Sequence, residues 1–235
     1  FEAEWYKSRG VEHVEFVGHP LAGEVRPRIG RTEFSQQHNL DPQKPIVSFL
    51  PGSRRKELER ILPPMADAIR KLRTAHPEIQ PVIVVAPSRT IEETREILLS
   101  LNSITMVQGQ TREALAASDA AAITSGTATL EGALLETPMV GVYKESAVNW
   151  HTLGRLITVP HYGLVNLVAG TKIATELMQN ELTGERLAGE LIMLLDAKTN
   201  LASREELRRV ASKLGEPGAS ERAAGIILQF LKTRI

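Results

Sequence analysis

The sequence contains no cysteine, which excludes disulfide scaffolds, thiolate-ligated zinc and thiol nucleophiles. It carries no net charge, because 28 Lys and Arg balance 28 Asp and Glu. Bulk electrostatic attraction to nucleic acid or to an anionic membrane is therefore missing, and any anion site must be local. Aromatic residues are scarce, at 4%. No apolar run approaches the roughly 18 residues of a membrane span, and the opening FEAEWYKSRG lacks a signal-peptide pattern. The Gly-x-Gly-x-x-Gly fingerprint and the Walker A pattern are absent, so dinucleotide and P-loop readings lose their main support. The six histidines are not spaced as metal pairs on a helix face, which leaves metal hydrolysis without a ligand set.

What is present is ordinary globular composition: 235 residues, 42% hydrophobic and 24% charged, with 17 Gly and 13 Pro. That length suits one large α/β domain with an appendage. From about residue 44, short β-rich apolar runs alternate with amphipathic stretches, the pattern of βαβ units in a parallel sheet. The runs are Ile46 to Leu50, Val82 to Ala86, Ile104 to Val107, Ala120 to Thr124 and Met139 to Tyr143. Between the first two, Leu58, Ile61, Leu62, Met65, Ile69 and Leu72 repeat at helical spacing. Pro63 and Pro64 interrupt that stretch, and a break is expected there, with a second helix starting at the prolines. Further helices are expected over Thr90 to Leu101 and Thr111 to Ala117. The fold class is thus a Rossmann-like, doubly wound parallel sheet.

Three segments divide the chain. Residues 1–23 hold a candidate strand, Val14 to Val17, that belongs to an earlier unit. The α/β domain spans 24–170, opening on a polar connecting segment from Glu24 to Pro45. Residues 171–235 read as a helical C-terminal appendage. The chain begins at Phe1 and its opening residues read as the middle of a longer protein.

In such sheets, ligands bind beyond the carboxyl ends of the strands, where helix N-termini present unpaired N–H groups. Two loops have that setting. Pro51-Gly52-Ser53-Arg54 follows the strand VSFL: Gly52 allows close backbone approach, Ser53 offers a hydroxyl, and Arg54 can fork onto two phosphate oxygens. A solvated turn with a surface charge run is the competing reading. The second loop, Ser125-Gly126-Thr127, opens a short helix in which Glu131 lies one turn on. A capping role for Glu131 needs Ser or Thr at 128, where Ala stands. Its carboxylate can instead accept hydrogen bonds from ribose hydroxyls, although compensation of the helix dipole also accounts for an acid there. Asn166, between apolar neighbours in GLVNLVAG, either caps a turn or meets a ligand. His19, His151 and His161 read as structural histidines.

The strings VEFVGHPLAGEV, VSFLPGSRRKEL with ILPPM, SDAAAITSGTATLEGALLETPMVGVYK and GLVNLVAG with ELMQ resemble, together and in order, the lipid-A-disaccharide synthases. The resemblance runs over most of the chain. It implies the C-terminal half of a GT-B glycosyltransferase, with residues 1–23 as the end of the other half and the crossover. It further implies a donor, UDP-2,3-diacylglucosamine, joined to a lipid acceptor, 2,3-diacylglucosamine 1-phosphate, by an inverting displacement with no cofactor and no metal. Gly52, Ser53, Arg54, Ser125, Gly126 and Thr127 are then expected at phosphate, Glu131 at ribose and Asn166 near the nucleotide. The catalytic base is expected in the N-terminal half, outside this chain. Peripheral attachment to the cytoplasmic face of a Gram-negative-type inner membrane follows from the implied lipid substrates; a homodimer is left open, and no nucleic-acid partner is expected. Two departures stand out: Val165 where the family has Pro before the Asn, and Thr171 where an Arg commonly follows the glycine. A UDP-N-acetylglucosamine 2-epimerase-like enzyme and a nucleotide-binding module without catalysis are the alternatives. A response-regulator-like domain is disfavoured, since the strand ends lack clustered acids.

Overall fold

A computed structural model of the chain describes residues 2–98, 104–146 and 161–232. Six strands, β1 (Ile46–Leu50), β2 (Gln80–Val85), β3 (Thr105–Gln108), β4 (Ala120–Thr124), β5 (Met139–Tyr143) and β6 (Thr175–Met178), form one parallel sheet in the order β3-β2-β1-β4-β5-β6. The middle strands β1 and β4 are buried along their whole length. This is why they read as continuous apolar runs rather than as alternating patterns.

Strand periodicity sends alternate side chains into two cores. Val47, Phe49, Ile83, Val85, Ala120 and Ala122 face α3 (Arg55–Ala75) and α8 (Gly184–Leu195). Ile46, Val82, Val84, Ala121 and Ile123 face the other way, against α5 (Thr111–Ala117) and α9 (Ala197–Lys213), with Phe34 of α2 (Arg31–Gln37), Ala133 of α6 (Ala128–Leu134) and Val165 of α7 (Leu164–Ala169). The remaining helices are α1 (Glu2–Lys7), α4 (Ile91–Ile97) and α10 (Ala219–Lys232). Helix α6 lies close over the sheet. A methyl on Gly132 would stand 2.6 Å from the Met139 methyl and 3.0 Å from Ile123 Cδ1, so a larger residue there would require these side-chain ends to shift.

Several expectations are corrected. Helix α3 runs unbroken through Pro63 and Pro64. Each interior proline costs about 3 kcal/mol. Against this stand six large side chains that α3 buries, at roughly 1.5–3 kcal/mol apiece before entropy is counted, namely Leu58, Ile61, Leu62, Met65, Ile69 and Leu72. Burial wins, and it holds both ends of the helix on the same sheet. Residues 14–17 form no strand, since no neighbouring chain pairs with them among the described residues. The segment from Glu24 to Pro45 contains α2, anchored by fully buried Phe34. The largest difference lies after residue 171. That segment supplies the edge strand β6 and the covering helices α8 and α9, so it completes the sheet rather than hanging from it. The helix expected over Thr90 to Leu101 is α4, capped by the Thr90 hydroxyl accepting from Glu93 N–H; residues 99–103 lie outside the described residues, as does His151.

At the far end, α10 carries exposed Ile227, Leu228, Phe230 and Leu231. Its Arg222 donates to the carbonyls of Val17 at 2.9 Å, Pro217 at 2.7 Å and Glu216 at 2.6 Å, tying the two ends of the chain together. His19 Nδ1 accepts from Leu21 N–H at 3.1 Å and so holds the turn that follows it. No helix among the described residues is long and apolar enough to cross a membrane.

Candidate functional site

Strand order reverses between β1 and β4, so the chain leaves these two neighbours in opposite directions and opens a crevice beyond their carboxyl ends. The strand ends are fastened together by Thr124, whose hydroxyl donates to the Leu50 carbonyl at 2.8 Å. Above them lies a cleft of about 360 Å³ lined by Gly52, Ser53, Arg54, Ser125, Gly126, Thr127 and Glu131, together with Glu57. This falls in the size range of small-molecule sites, about 300–1,000 Å³. Seven of the eight residues singled out from the sequence thus meet in one place.

The β1 wall is built differently from expectation. Glu57, in the first turn of α3, turns back so that Oε2 accepts from Ser53 N–H at 3.0 Å and from Arg54 N–H at 3.1 Å. Its Oε1 accepts from the Arg54 guanidinium at 3.0 Å. The open space required at Gly52 serves this carboxylate, and the two loop amides are already bonded to it. What remains for an incoming anion is the Ser53 hydroxyl and the Arg54 side chain, which is 81% exposed but paired with Glu57. The dipole of the 21-residue α3 adds positive potential at the same point.

On the β4 wall, Ser125 N–H continues the sheet by donating to Val142 O at 2.8 Å, and its hydroxyl donates to Tyr162 O at 3.0 Å. The turn is stiffened by Thr129, whose hydroxyl donates to Gly126 O at 2.7 Å. Glu131 lies on the wall of the cleft, and Arg112 Nε donates to its Oε1 at 3.2 Å. Its freedom from a capping partner, expected from Ala128, holds, but a cation from α5 supports it instead.

Asn166 is the correction in this set. It is fully buried and does not line the cleft. Its Oδ1 accepts from Ile173 N–H and Ala174 N–H, both at 2.9 Å, and its Nδ2 donates to Ala174 O at 2.9 Å and Glu176 Oε1 at 2.8 Å. All four hydrogen-bonding positions of the amide are taken within the chain. The side chain therefore clasps α7 to the start of β6. Glu176 completes the clasp by accepting from Gly163 N–H at 2.8 Å and Tyr162 N–H at 3.1 Å. Through Tyr162, whose carbonyl accepts from Ser125, this buried knot braces the second loop.

Nearby, Tyr143 at the end of β5 has its hydroxyl pKa raised by burial and by the adjacent Glu145, which keeps the phenol protonated. Glu145 is held below the usual carboxylate range by the backbone N–H of Ser146 and by Arg60. Among the described residues, no group of three or more His, Asp or Glu is placed to hold a metal ion.

Sequence reasoning missed Glu57, Arg112 and Glu176. Glu57 had a signal, standing three residues after the N-cap position, but the N-cap is Arg54 and not the Ser or Thr of the usual pattern. Arg112 and Glu176 reach their partners across the fold and have no local signature.

A parallel sheet of this order, covered on both faces and opening a polar cleft at its switch point, is a Rossmann-type α/β unit of the class that forms one half of GT-B glycosyltransferases. Solved structures agree in fold: sucrose-phosphate synthase from Thermosynechococcus elongatus (TM-score 0.60, 15% identity, 99% of this chain and 57% of that one) and WaaG, a glycosyltransferase involved in lipopolysaccharide biosynthesis (TM-score 0.56, 17% identity, 86% and 52%). The family model described as lipid-A-disaccharide synthetase matches residues 1–230. The lipid-A-disaccharide synthase of Geobacter sulfurreducens is 38% identical over 237 residues, covering 100% of this chain and 62% of that protein. The chain belongs to the lipid-A-disaccharide synthase family. It spans about three-fifths of the length of the curated relatives it matches.

Proposed function

We propose that this chain is the nucleotide-sugar-binding half of an inverting hexosyltransferase that joins UDP-2,3-diacylglucosamine to 2,3-diacylglucosamine 1-phosphate. The observation that carries the reading is the meeting of Arg54, the Ser125-Gly126-Thr127 turn and Glu131 on one cleft at the switch point, in a chain of this family.

In the reaction, the acceptor hydroxyl oxygen forms a bond to the anomeric carbon as the bond from that carbon to the diphosphate breaks. The electron pair leaves with the diphosphate, and the hydroxyl proton passes to a base in the other half of the enzyme. Negative charge grows on the leaving group, so cations and N–H dipoles placed there lower the barrier. Arg54 and the Ser125-Gly126-Thr127 turn serve that role, and Glu131 fixes the ribose. No cofactor or metal is required. The lipid substrates place the intact enzyme peripherally on the cytoplasmic face of a Gram-negative-type inner membrane, and charge balance gives no reason for a nucleic-acid partner.

Calorimetry with UDP tests the site. Arg54→Ala removes a charge-assisted hydrogen bond and is expected to weaken binding roughly tenfold to a hundredfold; equal affinity in both proteins overturns the assignment. On this reading the base and the wall that orients the acceptor belong to the other half of the enzyme, so residues 1–235 by themselves are expected to make no detectable disaccharide from the two lipid substrates. Product formed in proportion to this chain would refute the division of labour.

A further inference from the structure

Arg112 occupies the second position of α5 and holds two partners. Its Nε donates to Glu131 Oε1 at 3.2 Å, and its Nη1 donates to the backbone carbonyl of Glu24 at 2.8 Å. The carbonyl belongs to a compact turn in which Ala22 N–H donates to His19 O and Val25 N–H to Leu21 O. Ala22 and Leu21 pack against Leu130 and Leu134 of α6, the helix that carries Glu131. The guanidinium is therefore fixed at one end by a backbone atom and at the other fixes a carboxylate. Glu131 is largely buried, with a side chain 20% exposed, and it lines the cleft. Among the described residues, Oε1 carries the only hydrogen bond to its carboxylate.

We propose that Arg112 is a positioning residue for nucleotide recognition: it locks one oxygen of Glu131 so that the other is presented to the vicinal hydroxyls of a ribose. A carboxylate on three rotatable bonds loses entropy when it engages a ligand, and an anchored one has lost that freedom beforehand. The planar fork of arginine suits the task, since it serves a carboxylate and a carbonyl at once, which a lysine ammonium on a flexible stem does poorly. This inference rests on reading the cleft as a nucleotide site, and it adds a residue that does not itself touch the ligand.

The test compares binding of UDP, 2′,3′-dideoxy-UDP and inorganic pyrophosphate to the chain and to Arg112→Gln and Arg112→Lys. The unaltered chain is expected to prefer UDP over the dideoxy analogue by roughly tenfold or more, the loss of hydrogen bonds to a charged group. Arg112→Gln should bring that preference to within about twofold while leaving dideoxy-UDP and pyrophosphate affinities nearly unchanged. Arg112→Lys should fall between, and it carries the test if Arg112→Gln does not fold. A merely structural role would weaken all three ligands together, and that result overturns the proposal, as does an undiminished preference in either folded variant. If the unaltered chain binds pyrophosphate but does not distinguish UDP from its dideoxy analogue, Glu131 is not a ribose ligand and this inference falls with that assignment. If the unaltered chain binds none of the three, the nucleotide reading of the cleft fails first.

Discussion

Glu57 lies directly over Gly52: a Cβ on that glycine would stand 2.5 Å from Glu57 Oε2 and 3.0 Å from Glu57 Cβ. The loop after β1 and the first turn of α3 are shaped to each other, and the backbone of Gly52 takes φ of +107°, a region side chains avoid. Gly52→Ala should therefore cost about 1–3 kcal/mol of stability through strain alone. It should also weaken UDP by moving Arg54. Denaturant melts and UDP calorimetry on the same preparation check this, and unchanged values in both would show that the loop yields freely.

Glu131→Gln keeps the size of the side chain but removes the charge that faces Arg112 and the cleft. The variant should lose affinity for UDP roughly tenfold or more while retaining affinity for pyrophosphate. Titrating both ligands into both proteins measures the difference. Equal losses would assign Glu131 to folding or to compensation of the α6 dipole.

Asn166→Ala leaves the amides of Ile173 and Ala174 and the carbonyl of Ala174 without their partner. Each buried group left unpaired costs about 1–3 kcal/mol, so a loss of about 3 kcal/mol or more is expected. Urea unfolding provides the measurement. A stable variant with selectively lost UDP binding would instead return Asn166 to the ligand.

Asp196 caps α9, accepting from Thr199 N–H at 3.0 Å and from the Thr199 hydroxyl at 2.9 Å. These bonds hold its carboxyl below the ordinary value of 3.8. A lowered folded-state pKa means that the stabilisation is fully present above the unfolded value and is lost as pH falls through the folded one. Melting temperatures of the parent and Asp196→Ala should accordingly differ at neutral pH and converge as the medium is acidified below about 3.8. A gap that stayed constant with pH would assign the difference to helix propensity.

The four central strands, β1, β2, β4 and β5, were legible because they are buried at nearly every position and so stand out as apolar runs. The partly buried edge strand β3 was legible only through the short apolar stretch from Ile104 to Val107. Strand β6 was not, because Thr175–Met178 is an edge strand with polar, half-exposed positions and its sequence has no run to detect. The cleft was legible through loop position: glycine and small polar residues directly after buried strands mark strand-end turns. The orientation of side chains within it was not. Glu57 takes the amides that the sequence reserved for phosphate, and Asn166 spends its amide inside the fold. Both outcomes depend on where a neighbouring turn arrives in space, and residue type and spacing leave that open.

The order of the sheet also bears on how the protein acquires its site. Val47 of β1 pairs with Ala120 of β4, so the two walls of the cleft are adjacent in space but about seventy residues apart along the chain, with two further βαβ strands between them in sequence. Contacts of such long range close late and slowly in folding. Helices can therefore form well ahead of any capacity to bind nucleotide, and recovery of UDP affinity during refolding becomes a timer for the last non-local step, lagging behind the return of the helical signal.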